Sequence, residues 1–281
     1  MFQQRGDLTF FSFDSFRDPN MPVQAMSIRR GGVSGGVYWS LNLGLHVEDD
    51  KSAVLTNRER FCQALSIPLE SLVIGQQVHG TGVAVVRGGH RGKGARRWEE
   101  GLPQTDAMVT DSPDVALMIL VADCAAVILY DPARKAVGIA HGSWRGTAGR
   151  IGLKAVLRMV DAFGCRPEDI QAAISPSIGP CCYEVGGDVL QALRKSFPST
   201  WEDYITSHRS GAVHFDLWEA LRAQLMEAGL REEKVEIAHI CTACNTDLFY
   251  SHRREHGRTG RSGVIIALQR GAGALHRERT M

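Results

Sequence analysis

One thiol and two imidazoles are the candidates for chemistry in this chain. Cys124 interrupts an almost unbroken apolar run over residues 115–130, and His141 ends a second apolar run over residues 136–140. His79 lies further upstream. A thiolate with imidazoles suits either a soft metal ion or a Cys/His nucleophile. The alternative for Cys124 and His141 is a buried thiol beside a histidine that is already satisfied by hydrogen bonds in the core.

The two apolar runs predict the elements that hold these side chains. Residues 131–135 carry a turn signal between the runs, so we expect the runs to pair as a hairpin. Such a hairpin places Cys124 and His141 at one end of a sheet. Asp123 also interrupts the first run, and it either orients a metal ligand or is a buried structural carboxylate.

The composition argues against several classes of partner. The chain has 281 residues, enough to bury a full core, and its 32 lysines and arginines nearly cancel its 31 acidic residues. This balance argues against nucleic acid and against a membrane surface. Asp123 breaks the longest apolar stretch, so no transmembrane helix is expected. Seven irregularly spaced cysteines favour reduced thiols, and we expect a cytoplasmic protein.

Strand and helix patterns are intermixed along the chain without a repeat or a break in composition. This predicts one α/β domain over residues 1–281, with a frayed tail from about residue 272. Residues 88–101 are rich in Gly and Arg, and we expect a mobile surface loop that can act as a lid. Apolar periodicity predicts helices over residues 48–65, 149–163, 185–193 and 215–229.

Four motifs, in a fixed order, resemble those of the YfiH-like family, and the resemblance covers nearly the whole chain, from residue 29 to residue 261. The family was long labelled polyphenol oxidase or laccase domain, and it is now described as purine nucleoside phosphorylases with adenosine deaminase side activity. The resemblance implies a single-domain layered sandwich, with a mixed β-sheet flanked by helices, similar to CNF-type deamidating toxins. The motifs are Gln77-Val78-His79-Gly80-Thr81, Ala122-Asp123-Cys124, His141-Gly142-Ser143-Trp144-Arg145-Gly146 and Ser177-Ile178-Gly179-Pro180-Cys181-Cys182-Tyr183-Glu184-Val185-Gly186.

The resemblance also implies the cofactor and the substrates. His79, Cys124 and His141 would be both the zinc ligands and the catalytic residues, with a fourth position left open. The substrates would be phosphate and a purine nucleoside such as adenosine, inosine or methylthioadenosine. Laccase chemistry is not expected, because the ten histidines contain no His-x-His pair, although adventitious copper could occupy such a site. Gly142 and Ser143 depart from the usual family motif, as does Ala125, and they bear on substrate preference more than on metal binding.

Phosphorolysis needs an anion site, and arginine is its best provider. Arg58, Arg145 and Arg253 are therefore candidates for substrate binding, each weighed against an ordinary solvated side chain. Asn42 is a candidate for hydrogen bonds to the base or the sugar, or it caps a turn. Cys181 and Cys182 fit a pocket wall as well as a catalytic role, and Cys241 and Cys244 have metal or redox spacing but are interpreted as structural.

Two other functions stay open at this point. One is a Cys/His hydrolase that uses Cys124 as its nucleophile. The other is a non-enzymatic, zinc-stabilised binding module. In each case we expect a monomer or a small homo-oligomer, with no nucleic-acid or membrane partner.

Overall fold

The computed structural model describes residues 1–18, 20–207 and 211–269. The predicted frayed tail lies outside the described residues. The helices are α1 (Lys51–Ala64), α2 (Trp144–Ala148), α3 (Ile151–Phe163), α4 (Gly187–Ser196) and α5 (Leu217–Glu227). The strands are β1 (Phe2–Arg5), β2 (Leu8–Phe11), β3 (Val23–Ser27), β4 (Leu72–Ile74), β5 (Val83–Val85), β6 (Ala107–Thr110), β7 (Ala116–Val121), β8 (Ala125–Asp131), β9 (Ala136–Gly142), β10 (Gln171–Ile174), β11 (Ile205–Ser207), β12 (Val213–Phe215), β13 (Val235–Ile237) and β14 (Ser262–Ala267).

Two six-stranded sheets form the centre of the fold. The first has the strand order β1-β2-β3-β14-β7-β4, and the second has the order β13-β10-β8-β9-β6-β5. Both are mixed, because β4 pairs parallel with β7 and β10 pairs parallel with β13, whereas β8 and β9 are antiparallel. Strands from both ends of the chain share the first sheet. The expected mixed sheet is therefore present as two sheets.

The apolar residues of each central strand divide between its two faces. In β7, Leu117 and Ile119 pack into a core between the sheets, whereas Met118 packs with α1 on the outer face. In β8, Ile128 joins the same inner core, and Leu129 packs with α3 and α5. Strands that are covered on both faces have continuous apolar sequences. The result is a sandwich of helix, sheet, sheet and helix, which confirms the layered architecture.

The first apolar run forms two strands in different sheets, and only the second of them belongs to the expected hairpin. β7 ends at Val121, and residues 122–124 cross to β8 in the second sheet. Asp123 has a φ of 76° at the crossing, a left-handed conformation that a side chain seldom adopts in a strand. The predicted hairpin is confirmed for β8 and β9, which pair over their full length.

The four predicted helices are present; three have shorter bounds, whereas α4 begins two residues later than predicted and extends to Ser196. α1 begins at an Asp50 cap, whose carboxylate accepts the Ser52 backbone N–H, and α3 ends at Gly164 with a φ of 65°. The short helix α2 was not predicted; Ser143 caps its N-terminus, and the Ser143 hydroxyl accepts the Gly146 backbone N–H. No helix in the described part of the chain is long and apolar enough to span a membrane.

Candidate functional site

The structure brings His79, Cys124 and His141 together. Each offers one ligand atom, and these atoms all lie within 4.8 Å of one another. The two imidazole rings meet edge to face, with their centroids 4.9 Å apart. His141 is buried, Cys124 is half-buried and His79 is exposed. A cluster that reaches from the core to the surface of a cleft can hold a reactive group that substrate also contacts.

Three different elements supply these side chains. His141 lies on β9 opposite Ala126, and Cys124 directly precedes β8, so the hairpin places the thiol beside the imidazole. His79 lies in the loop after β4 and has a φ of 57°. Gln77 fixes this loop to the first sheet, because its side-chain amide accepts the Leu120 N–H at 2.8 Å and donates to the Leu120 carbonyl at 2.9 Å.

Asp106, at the junction with β6, positions both imidazoles. One carboxylate oxygen lies 2.9 Å from Nδ1 of His141, and the pair is fully buried. The other oxygen accepts the backbone N–H groups of Val78 and Gly80, on either side of His79. These contacts leave Nε2 of His141 for a ligand and hold the His79 loop against the cluster. This is the carboxylate–histidine arrangement that orients metal ligands. Sequence reasoning missed Asp106.

Asp106→Asn tests this positioning role. An asparagine has one acceptor oxygen where three donors converge, so part of the arrangement is lost. If the cluster of His79, Cys124 and His141 holds a metal ion, we expect its affinity for added zinc to fall about tenfold. This is the lower end of the range for loss of a residue that orients a metal ligand, because the asparagine keeps one of the contacts. Competition with a chromophoric chelator measures the affinity. The control is Asp131→Asn, which alters an equally buried carboxylate that caps the turn at Ala133 and Arg134. Equal affinity in wild type and Asp106→Asn would contradict the role.

The charges within the cluster shift the pKa values of Cys124 and His141. Burial alone would raise the pKa of the Cys124 thiol, but the charges of His141 and His79 and their hydrogen bonds lower it to about 6. Burial likewise opposes protonation of His141, but Cys124 and Asp106 raise its pKa to about 9. Between these values the pair is a thiolate beside an imidazolium. A thiolate is the state required both of a metal ligand and of a sulfur nucleophile.

The donor set fits zinc. One thiolate and two imidazoles are ligands that Zn²⁺ accepts, and three protein ligands leave the fourth position open. In the described part of the chain, the carboxylate of Asp123 bonds to residues outside the His79, Cys124 and His141 cluster. This carboxylate accepts the Thr242 hydroxyl at 2.7 Å, the Ser251 hydroxyl at 3.1 Å and the Arg253 backbone N–H at 2.6 Å. Of the two roles considered for Asp123, the structural one is therefore observed.

A cavity of about 430 Å³ opens onto the cluster. This volume lies within the range of small-molecule sites. Its wall includes the aromatic rings of Trp144 and Tyr183 and the apolar side chains of Ile178 and Leu217. Such a wall suits a flat, partly apolar ligand.

Positive charge surrounds His46, which also lines the cavity. Burial and the neighbouring charges of Arg261 and Arg58 lower the pKa of His46 to about 4, so the imidazole is neutral at pH 7. Arg261 lies in the cavity wall. Burial lowers the pKa of Arg58 to about 9, and its guanidinium stays charged. The surroundings of His46 are therefore suited to an anion.

The predicted substrate-binding residues divide into two groups. Arg145 and Arg253 lie in the cavity wall, whereas Asn42 and Arg58 do not. Asn42 is fully buried, and its amide accepts the N–H groups of Gly44 and Arg261 and donates to Asp49. These hydrogen bonds fit the alternative that Asn42 caps a turn, and its contact with substrate stays a prediction.

Arg58 has a structural role, and its contact with substrate stays a prediction. It is 1 % exposed, and it donates to the backbone carbonyls of Leu43, Gly94 and Ala95 at 2.7–2.8 Å. These bonds tie α1 to two loops. Only Nη2 has no partner, so a contact with an anion would have to use that nitrogen.

Arg58→Ala is expected to destabilise the fold. It leaves three carbonyl groups without a charged donor and empties a buried site, so we expect a loss of about 3 kcal/mol or more. Urea unfolding measures the change. Arg60→Ala is the matched control, because Arg60 is exposed on the same helix. Equal unfolding midpoints for the two variants would contradict the structural role.

Residues 88–101 are anchored at several points. The carbonyls of Gly94 and Ala95 accept from Arg58, and the ring of Trp98 lies 4.5 Å from that of His46. The segment thus reaches the cavity through His46. Its role as a lid stays a prediction.

Several cavity residues were not singled out from the sequence. Arg261 and His46 lay in segments that carried the family resemblance but received no role. No local spacing marks them, since they converge from opposite ends of the chain. The unassigned residues of the wall include His46, Gln77, Trp144, Tyr183, His252 and Arg261.

The fold and the site define a class: a layered α/β protein in which a β-hairpin and a neighbouring loop bring a cysteine–histidine cluster into the wall of a cavity. Residues 23–269 match the family model described as multi-copper polyphenol oxidoreductase laccase. The chain therefore belongs to this family, the YfiH-like proteins.

Relatives and solved structures agree with this assignment. The chain is 39 % identical over 244 residues to purine nucleoside phosphorylase YlmD of Geobacillus stearothermophilus, covering 87 % of this chain and 89 % of the relative. It is 34 % identical over 241 residues to adenosine deaminase RL5 from an unknown prokaryotic organism, covering 85 % and 92 %. The crystal structure of the hypothetical protein YfiH from Bacillus licheniformis superposes with a TM-score of 0.89 at 34 % identity, covering 95 % of this chain and 99 % of that one.

Proposed function

We propose that this chain is a zinc-dependent purine nucleoside phosphorylase that also deaminates adenosine. In the main reaction, phosphate attacks the anomeric carbon of the nucleoside, the bond to the base breaks, and free base and ribose 1-phosphate leave. The names of the relatives support the substrate class.

One observation carries the proposal. A single cavity joins the His79, Cys124 and His141 cluster to aromatic walls and to the positively charged surroundings of His46. A purine nucleoside needs an aromatic or apolar wall for its base, and phosphate needs fixed positive charge. Both requirements are met within one cavity of suitable volume.

The arginines then have different roles. The guanidinium of Arg145 lies 4.1 Å from the ring centroid of Trp144, and that of Arg253 lies 5.5 Å from the centroid of Tyr183. Their cation–π contacts hold the aromatic rings that pack against the base. Arg261, beside His46 in the cavity wall, is the better phosphate ligand. Nη2 of Arg58 has no hydrogen-bond partner but is buried outside the wall, so it would reach phosphate only if the wall around His46 moved.

Zinc is the proposed metal, and copper would be adventitious. Bound zinc supplies a Lewis acid with one open position. Three ligands make a mononuclear site. The described part of the chain holds one further cluster of metal-binding side chains, and that cluster is made of cysteines alone. Histidine-rich, oxygen-reducing copper chemistry has no matching ligand set among these residues.

The proposal is tested by assaying base release from inosine, adenosine and methylthioadenosine with and without phosphate. We expect base release to rise with phosphate and to saturate. Ammonia release from adenosine should not require phosphate, because deamination consumes water. Base release at equal rates with and without phosphate would make the enzyme a hydrolase and would contradict the proposal.

A second candidate is a Cys/His hydrolase with Cys124 as its nucleophile. The observation that favours it is the chain of contacts from Asp106 to His141 to Cys124, with the pKa of the thiol lowered to about 6. Metal removal separates the two candidates. A thiol nucleophile keeps its activity after chelation, with a pH optimum between about 6 and 9, whereas the phosphorylase loses its activity and regains it with zinc. Folded, zinc-loaded protein without turnover of any nucleoside would favour a binding module.

A further inference from the structure

Four cysteines form a second cluster, outside the cavity wall. The sulfur atoms of Cys181, Cys182, Cys241 and Cys244 all lie within 4.8 Å of one another. Sγ of Cys244 is 3.6 Å from that of Cys181 and 3.4 Å from that of Cys182. Cys241 is buried, Cys182 is half-buried, and the other two are exposed.

We propose that these four thiols bind a second zinc ion as a closed tetrathiolate site. In a tetrahedral site with Zn–S bonds of about 2.3 Å, neighbouring sulfurs lie about 3.8 Å apart. The Cys181–Cys244 and Cys182–Cys244 sulfur separations of 3.6 and 3.4 Å are close to this edge length. A disulfide would need about 2.05 Å, so the spacing fits four thiolates around an ion better than it fits a bonded pair. Four sulfur ligands in a tetrahedral arrangement favour zinc.

Hydrogen-bond donors surround the sulfurs. The Gly179 backbone N–H donates to Sγ of Cys241 at 3.3 Å, and Nη2 of Arg254 lies 3.8 Å from Sγ of Cys182. Arg254 is held in place by its bond to the Ala243 carbonyl. Zinc with four thiolates carries a net charge of −2, which an N–H donor and a guanidinium both stabilise.

The backbone presents the thiols from two segments that the fold has already joined. Cys241 and Cys244 have the Cys-x-x-Cys spacing of half a zinc site, but one such pair alone is weak evidence. The other half is the adjacent pair Cys181–Cys182. A β-bridge between Ser177 and Cys241, with the Thr242 N–H bonded to the Ser177 carbonyl at 3.0 Å, brings the two segments into register.

The four-cysteine site would hold together two segments that contribute to the cavity wall. The first segment continues into Tyr183, and the second continues into His252 and Arg253, all of which line the cavity. Nη2 of Arg253 donates to the Glu184 carbonyl at 2.9 Å, directly across the two segments. A site with four protein ligands has no open position, so this zinc stabilises structure and takes no direct part in the reaction.

Metal analysis of the full-length protein tests the proposal independently of the reaction. Wild type should contain about two zinc ions per chain, Cys124→Ala about one, and Cys244→Ser about one. Cys244 is the residue to change, because it is exposed and makes both short sulfur contacts. Cys62→Ala, a buried cysteine outside both clusters, should keep both ions. Cobalt substituted into Cys124→Ala should show the intense thiolate charge-transfer absorption of a tetrathiolate, and Cys124→Ala with Cys244→Ser should lack it.

Several results would overturn the second site. One is a zinc content of one ion per chain in wild type and none in Cys124→Ala. Another is a zinc content in Cys244→Ser equal to that of wild type. The third is an intact mass that reveals a disulfide among the four cysteines. Cys181→Ser provides a second variant, and the circular dichroism of each variant checks that it is folded. Loss of zinc from Cys124→Ala alone would contradict the tetrathiolate and leave the proposed phosphorylase standing. Two zinc ions in a protein without nucleoside turnover would support the tetrathiolate site and contradict the proposed phosphorylase.

Discussion

Cys124→Ala is expected to abolish both phosphorolysis and deamination while the protein stays folded. The substitution removes one of the three clustered ligands that the described part of the chain offers, so the proposed zinc at His79, Cys124 and His141 should be lost. The side chain is small and half-buried, so the loss of packing is modest. Metal analysis should find about one zinc ion fewer per chain than in wild type.

The experiment needs a cysteine control. Cys62→Ala removes a sulfur from α1, away from both clusters, and should leave metal content and both activities unchanged. A wild-type metal content in Cys124→Ala would contradict the assignment of Cys124 as a zinc ligand. Loss of activity together with full zinc content would instead favour Cys124 as a nucleophile.

The hairpin at the centre of the site is predictable from the sequence. Two apolar runs flank a turn, and their pairing places Cys124 beside His141. The sequence does not reveal that residues 122–124 cross between two sheets, because β7 and β8 are equally apolar when each is covered on both faces. Apolar periodicity carries no information on which sheet a fully buried strand joins.

Partners that converge from distant parts of the chain are the features that sequence reasoning misses. Asp106 and His141 are 35 residues apart, and their bond depends on the pairing of β6 with β9. Arg58 shows a related gap. The sequence predicts a substrate ligand or a solvated side chain, and it does not reveal that Arg58 is buried and donates to three backbone carbonyls. The assignment of the ligand set rests on the family motifs, since the separations of His79, Cys124 and His141 match no local metal motif.

Arg261→Gln is expected to slow phosphorolysis about ten- to a hundredfold and to spare most of the deamination. Phosphate is a substrate of the first reaction only, so a group that holds the anion affects the two reactions unequally. Loss of a charge-assisted contact costs about 1.5–3 kcal/mol, which corresponds to this range of rates when the contact acts in the transition state. Glutamine keeps a donor for the Thr259 and Gly260 carbonyls that Arg261 now contacts, so the backbone conformation around residues 259–261 should be unchanged. Steady-state kinetics with inosine at varied phosphate, and with adenosine without phosphate, measure the two effects.

Two comparisons make the result specific to the phosphate site. Arg258→Gln changes an exposed arginine of the same segment, outside the cavity wall, and should leave both reactions unchanged. Arg58→Ala should also slow phosphorolysis more than deamination if its free Nη2 reaches the anion, although its loss of stability requires rates to be compared on folded protein. If Arg261→Gln slows both reactions equally, Arg261 supports the nucleoside or the cavity wall. Arg145 and Arg253 would then be the remaining arginines of the wall that could bind phosphate.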